Sequence, residues 1–327
     1  MALTTIAGTS GAIQGSVAQA IEGRRSDLKG RLFELSLIAC LFVSLLVLTL
    51  MIAEVVRNGF PVYTDHGWDF LNGGLSSTAA RAGIAQGIIG SFWIAATVCV
   101  VAIPLGVGAA VYLEEYAPRN RLTSFIEINV RNLAGVPSVV YGLLGLALFV
   151  EVLGGFSGKD DASRSTLIAA GLTLAVLVLP IIIITTAEAI RAVPNALREG
   201  AYGVGATRWE VIRSQVLPYA MPGIVTGGLL AIARAVGEAA PLILVGALTG
   251  LAGRSPGLSL GSVLDPSSLT ERFTAMPAVI TAWAKLPAEE FRVANTAAAI
   301  LAMLVFVLLV NSIAIVLRNR FEKKRTV

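Results

Sequence analysis

Two charged residues, Arg234 and Glu238, stand four positions apart in an otherwise apolar stretch, Ile232-Ala-Arg-Ala-Val-Gly-Glu-Ala-Ala-Pro-Leu-Ile243. A guanidinium offers forked N–H donors whose geometry suits the oxygens of a phosphate. A carboxylate beside it would keep such an anion from binding too tightly, and could accept a hydrogen bond from a protonated phosphate, which sulfate cannot offer. The same pair could instead be a self-neutralising ion pair that eases insertion or links helices. Helical spacing of i, i+4 puts both on one face. Charges in such surroundings are costly enough to be functional candidates by default.

Other chemistry finds no residues to carry it. The phosphate cradle G-x-x-x-x-G-K-[ST] is absent, because Gly158-Lys159 is followed by Asp160 and Leu153 stands where the first glycine belongs. There is no HExxH, no nucleophile elbow and no Cys/His cluster. Cys40 and Cys99 sit in apolar runs, where a thiol behaves as a small hydrophobe. The single histidine, His66, falls in a loop between Asp65 and Gly67 and reads as solvated. No catalytic residue and no metal ligand set is expected, and the chain reads as a non-enzyme.

The elements that must position Arg234 and Glu238 are set by hydropathy. The chain is 55% hydrophobic and 14% charged with a mean hydropathy of +0.78, well outside the range of soluble domains. A membrane-spanning helix needs roughly 20 mostly apolar residues. Such runs occur near 33–56, 84–113, 133–153, 166–190, 221–250 and 294–317. The fold class is therefore all-α integral membrane with six transmembrane helices. Residues 1–32 form a polar tail, the run 33–56 an uncleaved anchor, 84–317 the main membrane domain and 318–327 a basic tail. Pro104, Pro137, Pro180 and Pro241 fall in or beside spans and would kink them. Small-residue pairs such as Gly83 with Gly87 and Gly223 with Gly227 would let helices approach closely. The stretch 251–292, broken by Pro256, Pro266, Pro277 and Pro287, is expected outside, with a short re-entrant or interfacial helix.

Basic residues concentrate in cytoplasmic segments. With the N-terminus inside, the cytoplasmic segments hold 16 Lys and Arg against 8 on the other side, and both termini are cytoplasmic. This interleaving of charge with spans argues against nucleic-acid binding.

One cytoplasmic segment, 191–218, is too structured to be a connector. Asn195 to Val204 reads as a short helix, Gly203 and Gly205 allow a sharp turn, and Trp209 to Val216 reads as a second amphipathic helix stopped by Pro218. The segment resembles the E-A-A-x-x-x-G-x(9)-I-x-L-P loop of the permeases of ATP-binding-cassette importers. Glu199, Ala201, Gly205, Leu217 and Pro218 match, while Gly200 and Gln215 depart from it.

Two further segments are similar to the phosphate-specific permeases: Gly135-Val-Pro-Ser-Val-Val-Tyr-Gly142, with Pro137, Ser138 and Tyr141, and Ile103 to Tyr116. Arg234-Ala-Val-Gly-Glu-Ala-Ala-Pro-Leu-Ile243, with Gly237 and Pro241, resembles the motif of the PstA type in particular. The resemblance implies a type I importer (MetI-like) permease fold in a bacterial inner membrane. It implies no cofactor on this chain, with ATP and Mg used by a partner ATPase dimer (PstB type). A second permease (PstC type), a phosphate-binding protein (PstS type) and membrane lipid would complete the surroundings. A permease of the same architecture for phosphonate, sulfate or molybdate, and an ion-coupled secondary transporter, are the alternatives.

Overall fold

The computed structural model describes residues 28–152, 165–247 and 257–323, in two units, 1–54 and 55–327. Residues 1–27 of the expected tail 1–32, Lys159 and Arg164, residues 248–256 and the last four residues lie outside the described residues, while 28–32 and 318–323 of the two expected tails are helical.

In the first unit, residues 28–54 are helical, the start of α1 (Leu28–Asn72). From Arg31 on, a run rich in Leu, Ile and Val without Gly or Pro favours a long uninterrupted helix, and its side chains are exposed along its length, such as Leu41 at 71%. Lipid is the solvent that suits such a surface. The hydroxyls of Ser36 and Thr49 donate back to the carbonyls of Phe33 and Leu45, so neither enters lipid unpaired.

In the second unit α1 continues beyond the span limit at 56, through Pro61, to Asn72. His66 therefore lies within this helix rather than in a loop, at a kink where φ is −137° and ψ is 21°. Its side chain is exposed, as expected for a solvated histidine.

The elements that follow are α2 (Ala85–Tyr116), α3 (Arg121–Ala134), α4 (Ser138–Val152), α5 (Leu167–Arg191), α6 (Asn195–Gly203), α7 (Arg208–Gly237), α8 (Ala240–Leu244), α9 (Met276–Trp283) and α10 (Thr296–Lys323). Among the described residues, five helices are long and apolar enough to cross a membrane, and six when α3 and α4, bent by 101°, count as one. The third span is thus a broken one that begins at Arg121, not a straight helix from 133.

Helices α2, α5 and α7 pack around Val98, Leu174, Val178, Ile182, Ala231 and Ala235, all buried. Lipid tails are as apolar as leucine, so close packing rather than the hydrophobic effect must hold helices together. Small residues permit it: a Cβ on Gly227 would meet Thr185 Cβ at 2.6 Å, and one on Gly223 would meet Ala189 Cβ at 2.7 Å. The Gly223 and Gly227 pair is thus the seam between α7 and α5.

Within 251–292, the short helix α9 is not at a surface. Met276, Val279 and Trp283 are buried, and the Met276 N–H donates to Ser91 Oγ of α2 at 3.0 Å. Gly90 lies directly against the Thr274 carbonyl, so that a Cβ there would overlap the oxygen.

Gly90→Ala is expected to lower stability by about 1–3 kcal/mol through overpacking, read as a lower thermal midpoint of the purified protein. Gly108→Ala, with open space around the new Cβ, should leave the midpoint within error. Equal midpoints for the two variants would contradict the packing of α9 on α2.

Candidate functional site

The site is built where two helices stop beside each other, with Gly135, Pro137 and Gly237 exposed on this subunit. Proline has no N–H, so Pro137 cannot donate to the carbonyl four residues earlier, and it disfavours helical geometry in the residue before it. Helix α3 accordingly ends at Ala134 and α4 begins at Ser138. The Leu133 carbonyl that Pro137 cannot serve accepts the Tyr141 hydroxyl at 2.8 Å and the Val136 N–H at 3.1 Å. Tyr141 therefore staples the break.

Pro241 does the same to α7. Its missing N–H would have served the Gly237 carbonyl, and the helix ends at Gly237, with Glu238 extended at φ −83° and ψ 119°. Helix α8 restarts with Pro241 in its first turn, where the absent donor costs nothing.

The two breaks meet. A Cβ on Gly142 would meet Pro241 Cα at 2.8 Å and Leu244 Cδ1 at 2.8 Å. Depth along α5 follows from contacts. Gly227 faces Thr185 and Gly246 faces Ser165, so α7 stops about 12 Å short of the start of α5 at 1.5 Å per residue. Gly145 faces Thr173, which puts Pro137 about 20 Å along α5, near its middle. All seven signature positions, Gly135, Pro137, Ser138, Tyr141, Gly142, Gly237 and Pro241, belong to these two breaks.

Arg234 is in the last turn of α7, and Glu238 caps its end instead of continuing the helical face. They still pair, with Nε 3.4 Å from Oε1, and their side chains are 38% and 22% exposed. That exposure matters: the guanidinium keeps N–H groups free of Glu238, on a surface of this subunit rather than sealed in its core. Tyr141 lies close enough to feel the Arg234 charge. The α4 N-terminus, whose Pro137 cap supplies no side-chain acceptor, adds its partial positive charge to the same region. The arrangement can hold and release an anion, with Glu238 as a competing partner for Arg234.

The second candidate region, 191–218, is a helix–turn–helix. Helix α6 carries Glu199, Gly200 and Ala201, of which Glu199 and Gly200 are exposed and Ala201 is half-buried. Gly205 has a φ of +88°, a conformation that favours glycine. A capping box, in which the Thr207 hydroxyl and the Glu210 N–H, and the Glu210 carboxylate and the Thr207 N–H, bond reciprocally, starts α7. Val204, Trp209 and Tyr202 are exposed at 86%, 54% and 46%. Pro218 does not stop the second helix: Ile212–Val216 widens into a π-turn and α7 runs on through Leu217 and Pro218.

Sequence reasoning missed the groups that fix this region. The Arg198 guanidinium contacts Glu115 Oε1 at 3.0 Å, and donates to the Ile190 carbonyl at 2.9 Å and the Val193 carbonyl at 2.7 Å. Arg191 pairs with Glu114 at 2.6 Å. Partners about 80 residues apart leave no local pattern, and the one visible clue was two adjacent glutamates ending a span opposite an arginine-bearing loop.

The profile of the family described as "Binding-protein-dependent transport system inner membrane component" matches residues 102–327. The chain is 36% identical over 227 residues to the Phosphate transport system permease protein PstA of Mycobacterium leprae (strain TN), covering 68% of this chain and 71% of that one. It is 34% identical over 247 residues to the protein of the same name from Yersinia pestis, covering 75% of each. In fold it resembles a solved chain of a bacterial ABC transporter involved in the import of the acidic polysaccharide alginate, with a TM-score of 0.59 at 14% identity, over 92% of this chain and 99% of that one. This likeness concerns the helical architecture alone. The chain belongs to the family of binding-protein-dependent transport system inner membrane components, as a multi-pass permease subunit of the PstA type.

Proposed function

We propose that this chain forms half of the translocation pathway of an ATP-driven importer of inorganic phosphate. The observation that carries the reading is the partly open Arg234–Glu238 pair, held at the meeting of two helix breaks in a chain whose relatives are phosphate permeases. A guanidinium with free donors can follow phosphate oxygens, and a neighbouring carboxylate shortens the stay. A single such pair on one face needs a second wall, which a PstC-type permease would supply.

Segment 191–218 would couple the chain to a PstB-type ATPase dimer that binds ATP and Mg, through Glu199, Gly200, Ala201, Gly205, Leu217 and Pro218. A PstS-type binding protein would deliver phosphate from outside, and the bias of basic residues supports cytoplasmic termini. Hydrolysis belongs to the ATPase; this subunit changes access.

The test is ATP-dependent uptake of labelled phosphate by vesicles that contain the co-purified complex, with sulfate as competitor. Uptake should persist in excess sulfate and fall to background for Arg234→Gln, with the complex still assembled. Uptake of a different anion would refute phosphate as the substrate, and an active Arg234→Gln complex would leave the pair a structural one.

The coupling segment gives a separate expectation. Gly205→Ala forces a side chain into the left-handed region at a cost of about 1–2 kcal/mol, and should weaken co-purification of the ATPase. Gly108→Ala, in α2 and with open space around the new Cβ, lies outside this segment and should leave co-purification intact. Intact ATPase binding by the Gly205→Ala protein would argue that this turn is not part of the dock.

A further inference from the structure

Three consecutive residues at the end of α2 each hold one arginine from the stretch between the end of α5 and the start of α7. Glu114 takes Arg191 at 2.6 Å, and Arg191 also reaches Glu127 of α3 at 3.6 Å. Glu115 takes Arg198 through two N–H groups, Nη2 at 3.0 Å and Nε at 3.3 Å. The Tyr116 ring takes Arg208, whose guanidinium carbon lies 4.9 Å from the ring centroid. The three arginines come from the end of α5, the middle of α6 and the start of α7.

The middle contact differs from its neighbours. The Arg198 and Glu115 side chains are only 18% and 10% exposed, whereas Arg191 is 44% exposed. Little water screens the middle pair, in which two N–H groups converge on one oxygen, Glu115 Oε1; the more exposed Arg191 holds both oxygens of Glu114, Nε to Oε2 at 2.9 Å and Nη2 to Oε1 at 2.6 Å. The same guanidinium bonds the carbonyls of Ile190 and Val193 and reaches Asn195 Oδ1 at 3.3 Å. One side chain thus fastens α6 to the last turn of α5 and to the end of α2 at once. Glu115 has a single task in this arrangement, the tie to α2.

We infer that Arg198–Glu115 is the link through which displacement of α6 is delivered to α2, with Arg191–Glu114 and Arg208–Tyr116 as flanking ties. The inference rests on the reading of 191–218 as the segment that docks on an ATPase. Both residues are positioning residues: neither faces the Arg234 pathway nor lies on the exposed face of α6 with Glu199. Without the tie, α6 would move with the end of α5 while α2 lagged, and ATP would be spent without a change of access.

Glu115→Gln tests it, because the amide keeps the shape and leaves the Arg198 bonds to Ile190 and Val193 in place. In the reconstituted complex, ATP hydrolysis and phosphate uptake are measured together. The expected result is normal assembly and hydrolysis, with phosphate carried per ATP lowered roughly fivefold or more, the scale of a modest coupling free energy. Arg198→Lys, which keeps the charge and loses the fork, should give an intermediate ratio. A wild-type ratio in both variants, or hydrolysis and uptake that fall together at constant ratio, would overturn the link. A wild-type complex without ATP-driven uptake would sink the permease reading and the link with it; a coupled wild type beside a coupled Glu115→Gln would sink the link alone.

Discussion

A proline nitrogen has no hydrogen to donate, and within lipid no water can serve the carbonyl left behind. This constraint, applied at Pro137 and Pro241, organises the second unit. Each proline ends a helix, and each freed segment must lie where protein rather than lipid surrounds it. The chain meets the requirement by packing the breaks on each other, Gly142 against Pro241 and Leu244, and by turning the Tyr141 hydroxyl to the Leu133 carbonyl. The non-helical backbone of these two breaks is therefore also well placed to line a pathway. Glu238 is extended for that reason, and its pairing with Arg234 is a consequence of where α7 is forced to stop.

Charge is placed with the same economy. Away from the breaks, the ion pairs given above cluster where helices end: Glu114 and Glu115 close α2, Arg191 closes α5, and Arg198 lies one short turn beyond. Between these levels the contacts are those of small residues, since burial gives little when the solvent is itself apolar. Gly227 against Thr185, Gly106 against Ile182 and Gly171 against Thr97 keep α2, α5 and α7 at close range. The bundle is held by fit in its middle and by ion pairs at its edge.

What the sequence made legible follows from these rules. Long apolar runs located the helices, because length and hydropathy alone decide what can span lipid. The proline-bearing motifs marked the site, because a missing donor is a property of one residue. Boundaries were harder. Hydropathy alone does not separate a straight span from 133 from a bent pair that starts at Arg121, and α1 runs past 56 because its second part packs against protein, with Gly59 on the backbone of Ala297. The partners of α9 were not legible because its burial depends on Ser91 and Gly90, nearly two hundred residues earlier. The ties of Glu114 and Glu115 escaped for the same reason. Pairings across the fold are invisible to periodicity.

The helix end expected at Pro218 is informative about mechanism. Pro218 should have ended a helix that begins near Arg208, yet α7 continues to Gly237. The π-turn at Ile212–Val216 explains this: the Leu217 N–H donates to the Ile212 carbonyl, five residues back, and the widened turn accommodates the proline that follows. As a result the turn at Gly205 and the pair at Arg234–Glu238 lie at opposite ends of one 30-residue helix, a span of about 45 Å. Had Pro218 broken the chain, movement of the exposed hairpin would have been lost in a hinge. A continuous helix, seated on α5 through Gly223 and Gly227, would carry a displacement at Arg208 toward Arg234. The widened turn is the local cost that keeps the two sites on one lever.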